Sequence, residues 1–183
     1  MCTSKQGRSP GPISEASLTP QVLVEVLRQE PNWNGEVSDQ ALVGAAEAAF
    51  VQSGRVSGAA ELALLLCDDD EIRKLNKAWR GKDEPTNVLS FPLGAPPGKT
   101  GPQPLGDVAL AYQTVASEAL DRNVSIGQHA VHLVVHGVLH LMGYDHMCDA
   151  DAREMESLEA QVLAGLGLPN PHASHVIATG KEQ

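Results

Sequence analysis

The strongest constraint on the fold is the stretch near residues 125–142, which is apolar on almost every side. Ser125 can cap a helix that runs from there to about Met142. A helix that is apolar all round is buried, because none of its faces can be exposed to water at low cost. The other elements must therefore surround it. Its apolar residues are Ile126, Val131, Leu133, Val134, Val135, Val138, Leu139 and Leu141.

The remaining pattern predicts a mixture of strands and helices around this buried helix. Short apolar runs that end at charged residues, Gly or Pro predict strands at 21–29, 61–67, 87–93 and 105–112. Helical spacing and capping residues predict helices at 39–54, 68–82, 114–120 and 149–167. This order indicates an α+β fold in which a small mixed β-sheet packs with about five helices and the histidine-bearing helix is central.

The length of 183 residues suggests one domain, with a terminal segment on each side. Residues 1–20 are rich in Ser, Pro and Gly and predict a flexible N-terminal tail. The domain is expected to cover 21–171. Residues 172–183 are expected to form a flexible C-terminal tail in which His172 and His175 are solvated.

Composition limits the environment in which the chain can work. Three cysteines (Cys2, Cys67 and Cys148) are too few and too scattered for a disulfide framework, which fits a reducing compartment. The first 20 residues lack the apolar segment of a signal peptide, and no apolar run is long enough to span a bilayer. The chain is expected to be soluble and cytoplasmic, with no membrane partner and no organic cofactor.

Net charge argues against a general nucleic-acid binder, although basic residues are concentrated in one place. The formal net charge is −10 at pH 7, whereas a phosphate backbone attracts Lys and Arg. Five basic side chains nevertheless fall within 73–82, where they could form a local positive surface or simply be solvated, and Trp79 beside them could stack on a base. They are Arg73, Lys74, Lys77, Arg80 and Lys82.

Three histidines and a glycine in HGVLHLMGYDH (136–146) predict a metal site. His136 and His140 are four residues apart, so they share one face of the helix. Gly143 allows the backbone to leave the helix through a left-handed conformation and to bring His146 back as a third ligand. Three imidazoles leave one tetrahedral position open, which is typical of a catalytic zinc site. Nickel and copper also suit imidazole, and Cys148 or Asp149 could close the site as a structural one.

The histidine spacing matches the zinc-protease signature H-E-x-x-H-x-x-G-x-x-H and so predicts a metalloprotease-like, or zincin-like, metal site. The Glu of that signature is the general base of the protease, and here its position is Gly137. We expect Gly137 to leave room beside the metal for a bulky nucleotide. His129 and His132 precede the three histidines and are expected to pack or to support the ligands.

Asp145 adjoins His146 and has two possible roles. Its carboxylate could accept a hydrogen bond from an imidazole N–H or handle a proton during catalysis. It could instead be a turn residue that follows the helix. We favour the functional interpretation.

Four segments, in the same order along the chain, resemble the YbeY family of bacterial ribosomal RNA maturation factors. The resemblance extends from about residue 61 to 171 and includes the histidine motif, whose spacing is specific. The segments are LNKAWRGKDEPTNVLSFP (75–92), LGDVAL (105–110), HLVVHGVLHLMGYDH (132–146) and EMESLEAQVLAGLGLPNP (154–171).

The resemblance implies a single-strand-specific, metal-dependent endoribonuclease that acts in ribosomal RNA maturation, notably at the small-subunit 3′ end, and in ribosome quality control. It implies ribosomal RNA, ribosomal particles and small-subunit assembly proteins as partners. It also implies that His136, His140 and His146 bind one Zn²⁺ per chain, and that Arg80, whose planar fork suits phosphate, is catalytic. Asn87 is a departure, because many members have Asp there. Since an amide lacks the charge of a carboxylate, Asn87 is not expected to transfer a proton, but it can still act as a cap or turn residue.

Two other functions remain open. The chain could be a ribosome-assembly factor that mainly binds, with a structural metal and little catalysis. It could also be a peptidase, although Gly137 in place of the protease base argues against that function.

Overall fold

The computed structural model describes residues 21–56, 58–93 and 101–172. The predicted tails at 1–20 and 173–183 lie outside these residues, as does most of the predicted Gly/Pro loop at 94–104. The strands are β1 (Gln21–Arg28), β2 (Ala59–Cys67), β3 (Val88–Pro92) and β4 (Gln103–Ala111). The helices are α1 (Asp39–Ser53), α2 (Asp69–Arg80), α3 (Tyr112–Asp121), α4 (Ile126–Leu141) and α5 (Asp149–Gly165), and a short 3-10 turn spans Pro31–Trp33.

The four strands form one mixed sheet in the order β1-β2-β4-β3. β1 pairs with β2, and β2 with β4, in parallel, whereas β3 pairs with β4 antiparallel. The predicted α+β fold with a mixed sheet and five helices is therefore confirmed. β4 begins at Gln103, earlier than predicted, so residues 103–104 belong to the strand and not to the loop.

Alternate residues of the central strands face helices on opposite sides of the sheet. Val108 and Leu110 of β4 belong to the main core with α1, α4 and α5. Ala109 and Ala111 belong to a smaller core with α2. Cys67 lies in this second core, where burial raises the pKa of its thiol to about 12, so it is a core residue as expected. The histidine-bearing α4 and the basic α2 therefore lie on opposite faces of the sheet.

The central position predicted for α4 is confirmed. Ten of its 16 residues are buried, and it packs against α1, α3, α5, β3 and β4. Ser125 caps it as expected: its side chain accepts from the N–H of Gln128, whose own side chain accepts from the N–H of Ser125. Among the described helices, none has both the length and the apolar character needed to cross a membrane.

Gly137 brings α4 close to the sheet. A Cβ atom at this position would lie 2.6 Å from Cγ1 of Val108 and 3.1 Å from the hydroxyl of Ser90, which donates a hydrogen bond to the Gly137 carbonyl. Side chains of β3 and β4 therefore occupy the space that a side chain at position 137 would need. The hypothesis that Gly137 leaves room for a nucleotide is wrong, because strand side chains occupy that space.

This packing predicts that the effect of Gly137→Ala depends on the residue at 108. In the wild-type chain the overlap with Val108 is expected to cost about 1–3 kcal/mol, partly offset by up to about 1 kcal/mol of helix propensity. In a Val108→Ala background only the 3.1 Å contact with the Ser90 hydroxyl remains, so the same substitution is expected to cost clearly less. Urea unfolding of the four proteins measures both effects. Equal destabilisation in the two backgrounds would contradict the contact with Val108.

Candidate metal centre

The last turns of α4 and the turn that follows bring three imidazoles together. His136 and His140 lie one turn apart, and their Nε2 atoms are 3.0 Å from each other. Gly143 adopts φ +81°, and the Tyr144 N–H donates to the Leu139 carbonyl, so the chain folds back at the helix end. His146 then lies beside the pair, with ring centroids 5.1 Å from His140 and 5.8 Å from His136. The predicted ligands thus converge, and one nitrogen from each lies within 4.8 Å of the others.

The outer nitrogens of His136 and His140 are used by hydrogen bonds. Nδ1 of His136 is 2.6 Å from the Glu159 carboxylate, and Nδ1 of His140 is 3.0 Å from the Tyr144 carbonyl. In the neutral form of each ring, Nδ1 is therefore the nitrogen that donates, and the lone pair is on Nε2. Burial, with His136 and His146 nearby, also lowers the pKa of His140 and favours its neutral form.

Two lone pairs that face each other at 3.0 Å repel unless a cation or a proton lies between them. Nitrogen ligands at the usual distance from a tetrahedral zinc ion would be roughly 3.3 Å apart. The pair is therefore already near the spacing that one metal ion requires. The residues present fit a metal ion. Among the described residues, neither Cys148 nor Asp149 belongs to a group that could hold an ion, so the arrangement does not support the closed structural site.

The carboxylate that contacts His136 is Glu159 of α5, which was not predicted from the sequence. It is only 1% exposed, and its Oε1 is the partner of His136. Burial alone would raise the pKa of this carboxyl group, but contacts with His132, His136 and His172 lower it well below its usual range. Glu159 lies one turn from Met155 and Val162 on the buried side of α5. An acidic residue on the apolar side of an amphipathic helix was the signal that could have found it.

Asp145 accepts a backbone hydrogen bond in the turn and makes no hydrogen bond with the imidazole of His146. Its Oδ1 accepts the backbone N–H of His146 at 2.7 Å, whereas the same oxygen is 4.0 Å from Nδ1 of that imidazole. The predicted hydrogen bond from an imidazole to a nearby carboxylate does exist in this site, but Glu159 accepts it. A role for Asp145 in proton transfer stays a prediction.

Arg55 holds the turn that carries His146, and no sequence signal connects the two. Its guanidinium donates to the Gly143 carbonyl at 2.6 Å and to the Met142 carbonyl at 3.3 Å. It also lies 3.5 Å from the centre of the Tyr144 ring, whose hydroxyl donates to the Ser53 carbonyl. The end of α1 therefore fixes the exit of α4.

Comparison with known proteins identifies the family. The family model for "Endoribonuclease YbeY" matches residues 29–167. A protein of Rhodopseudomonas palustris strain HaA2 with that name is 47% identical over 176 residues, covering 92% of this chain and 89% of its own. One from Azorhizobium caulinodans, also so named, is 49% identical over 153 residues, covering 82% and 96%. The chain belongs to the YbeY family.

A solved structure agrees with the fold. The solution structure of TM1509 from Thermotoga maritima superposes with a TM-score of 0.53 at 23% identity, covering 87% of this chain and all of that one. At this identity the likeness supports the fold alone. The resemblance to the YbeY family that four sequence segments indicate is confirmed.

Asn87, which departs from the YbeY pattern, has a structural role. Its Oδ1 accepts the Val88 N–H at 2.7 Å, and its Nδ2 donates to Glu118 at 2.9 Å. Glu118 in turn is 2.6 Å from Nε2 of His129. An ionised Asp at 87 could not donate to Glu118 and would repel it. The amide therefore fits the neighbouring carboxylate, and the expected turn role is present.

Arg80 is not brought into contact with the three histidines. It is exposed at the end of α2, on the sheet face opposite to α4, and makes no hydrogen bond or ion pair with the described residues. The neighbouring Trp79 is 71% exposed and packs on Phe91 of the edge strand β3. Arg80 could contact RNA bound at the three histidines only if that RNA passed around the sheet, and its catalytic role stays a prediction.

The other basic residues of α2 are largely paired with acids. Arg73 and Lys77 both contact Asp83 at 2.7 Å, and Lys74 contacts Glu71 at 2.9 Å. These exposed pairs reduce the local positive charge. The surface formed by residues 73–82 is therefore less basic than the sequence alone indicates.

Proposed function

We propose that this chain is a single-strand-specific, zinc-dependent endoribonuclease that hydrolyses RNA phosphodiester bonds. The observation that carries the proposal is the three-histidine cluster in a member of a family described as endoribonucleases. Neutral imidazoles with outward hydrogen bonds suit Zn²⁺, and three protein ligands leave a position open for chemistry. We assign one ion per chain to His136, His140 and His146.

The reaction needs a Lewis acid, a cation for the phosphate and a proton carrier. A zinc ion, when bound, supplies Lewis acidity and lowers the pKa of water. Arg80 presents a planar guanidinium that can bind a phosphate in a bidentate manner and stabilise charge in the transition state. Asp145 is exposed beside His146 and has a second carboxylate oxygen that can take a proton. Asp145 would take the proton that the glutamate takes in a protease, so a base at the position of Gly137 is not required.

We propose that the substrate is ribosomal RNA in single-stranded regions, with cleavage during maturation of the small-subunit 3′ end and in ribosome quality control. The support is the family membership, together with the four ordered motifs. Ribosomal particles and small-subunit assembly proteins are the proposed partners, and the cytoplasm is the proposed location. No organic cofactor is proposed.

The test is cleavage of a labelled single-stranded fragment from the 3′ end of small-subunit ribosomal RNA by purified protein of known metal content. His140→Ala is expected to lose the metal and the activity. Arg80→Ala is expected to retain the metal and to lose about 10²–10³-fold in rate, as for other groups that stabilise transition-state charge. Arg73→Ala, on the same helix but paired with Asp83, is the matched control and is expected to change the rate less than about threefold.

Two outcomes would replace the proposal. Equal residual cutting by wild type, His140→Ala and Arg80→Ala would show that a contaminant cleaves the RNA. If those variants still bound ribosomal particles, a binding factor with a structural metal would be the better description. Cleavage of a peptide library by wild type but not by His140→Ala would instead indicate a peptidase.

A further inference from the structure

A second group of possible metal ligands lies on the other side of Glu159. It consists of Nε2 of His132, a carboxylate oxygen of Glu159 and Nε2 of His172, and these atoms all lie within 4.8 Å of one another. His172 was expected to be solvated in the tail, and that expectation is wrong. Its backbone N–H donates to the Asn170 side chain, and its ring is half-buried against Glu159.

The hydrogen-bond network within this group is incomplete, because only one of its two imidazoles is hydrogen-bonded to Glu159. Oε2 of Glu159 lies 2.7 Å from Nε2 of His172 and 3.6 Å from Nε2 of His132. The second distance is too long for a hydrogen bond. His132 makes no hydrogen bond with any part of the chain that the structure describes. Two ligands about 2.0–2.2 Å from one metal ion are separated by roughly 3–3.6 Å. The distance to His132 lies in this range, whereas the hydrogen bond to His172 must lengthen for an ion to bind.

The charge of Glu159 also favours a cation at this position. Its carboxylate is 1% exposed and is contacted by three imidazoles, His132, His136 and His172. A buried carboxylate that is not matched by a positive charge is costly. Oε1 is occupied by His136, whereas Oε2 faces both His172 and His132, so Oε2 is the oxygen that an ion between those two rings would contact.

A cavity gives an ion a path to the group. A space of about 580 Å³ opens beside His132, between the ends of α3 and α5, and is also lined by Arg122, His129 and Asn170. The side chains of His132 and His172 keep 15% and 34% of their surface exposed. The ligands are therefore held by the fold and yet can be reached from solvent.

We propose that His132, Glu159 and His172 bind a second divalent transition-metal ion. Two imidazoles and one carboxylate form the donor set that zinc, manganese and iron(II) accept in proteins, with further positions open to water. The proposed site is distinct from the three-histidine cluster, although both use Glu159, one through each oxygen. The inference concerns metal binding and is independent of whether the chain cleaves RNA.

The experiment is a count of bound Zn²⁺ on the full-length chain by equilibrium dialysis and elemental analysis, after removal of all metal with a chelator. The wild type is expected to bind two ions. His172→Gln and His132→Gln are each expected to bind one. His146→Ala, which alters only the three-histidine cluster, is expected to keep the ion at the second site, and the His146→Ala/His172→Gln double variant is expected to lose both.

His175→Gln is the matched control, since it removes a histidine three positions from His172 in sequence, and it is expected to retain two ions. One ion in the wild type, with none left in His146→Ala, would overturn the proposal, because the three-histidine cluster would then hold all the metal. Two ions in both His132→Gln and His172→Gln would also overturn it. Circular dichroism of each variant establishes that it is folded before its metal is counted.

Discussion

Glu159→Gln is expected to weaken Zn²⁺ binding at the three-histidine cluster by about 10–100-fold, the usual loss when a partner of a ligating histidine is removed. The carboxylate accepts the Nδ1 proton of His136 at 2.6 Å, which orients the ring and makes its Nε2 a stronger donor to the metal. An amide oxygen can still accept this proton, but it lacks the negative charge. The loss therefore measures the charge of Glu159 more than its shape.

The measurement is a competition titration with a chromophoric chelator, performed in a His172→Gln background so that the second group does not contribute. Asp145→Asn is the matched control. Since its Oδ1 accepts a backbone N–H and lies 4.0 Å from the imidazole of His146, its affinity is expected to change less than about threefold. If Asp145→Asn produced the larger loss, the assignment of Glu159 as the supporting carboxylate would be wrong.

Gly106→Ala is expected to lower the unfolding free energy by about 3–5 kcal/mol, because an alanine there would combine a positive φ angle with a steric overlap. Gly106 adopts φ +130°, and a Cβ atom there would lie 2.1 Å from the carbonyl oxygen of Phe91. The overlap is with the backbone of β3, so no side-chain rotation can relieve it. A loss of this size is a large part of the stability of an ordinary domain.

Gly35→Ala separates the two contributions. Gly35 has φ +90°, but no atom lies within 4 Å of a Cβ atom added there, so its substitution introduces conformational strain without steric overlap. We expect a cost of about 1–2 kcal/mol for Gly35→Ala in the same urea unfolding experiment. Equal costs for the two variants would show that β3 moves away and that its close pairing with β4 contributes little.

The sequence alone predicts the parts of the site that depend on local spacing. His136 and His140 share a helix face because of the helical repeat, and Gly143 is needed where the backbone turns to φ +81°. Periodicity, apolar runs and capping residues predict the four strands and five α-helices of the described residues, with small differences at their ends, but not the 3-10 turn at Pro31–Trp33. Both features are set by residues within a few positions of each other.

The parts that depend on distant contacts were not predicted from the sequence. Glu159 reaches His136 from another helix, and Arg55 reaches Gly143 from 88 positions earlier in the chain. Gly137 faces Val108 because of the way α4 is rotated about its axis when it packs against the sheet. The position of Glu159 on the apolar side of α5 indicates that it is buried, but the sequence does not indicate its partner. Each of these contacts is decided by packing between elements that are far apart in sequence.

The contact between Arg55 and the turn at Gly143 has a consequence for the order of folding. The His136–His140 pair can form as soon as α4 does, because it needs only one helical turn. The turn that carries His146 has local backbone contacts, but it gains the hydrogen bonds from Arg55 only when the end of α1 has docked, which requires closure of a long loop. In a nascent chain without those bonds, the third ligand is held less firmly than the other two. Retention of the metal would therefore report that the two distant parts of the chain have come together.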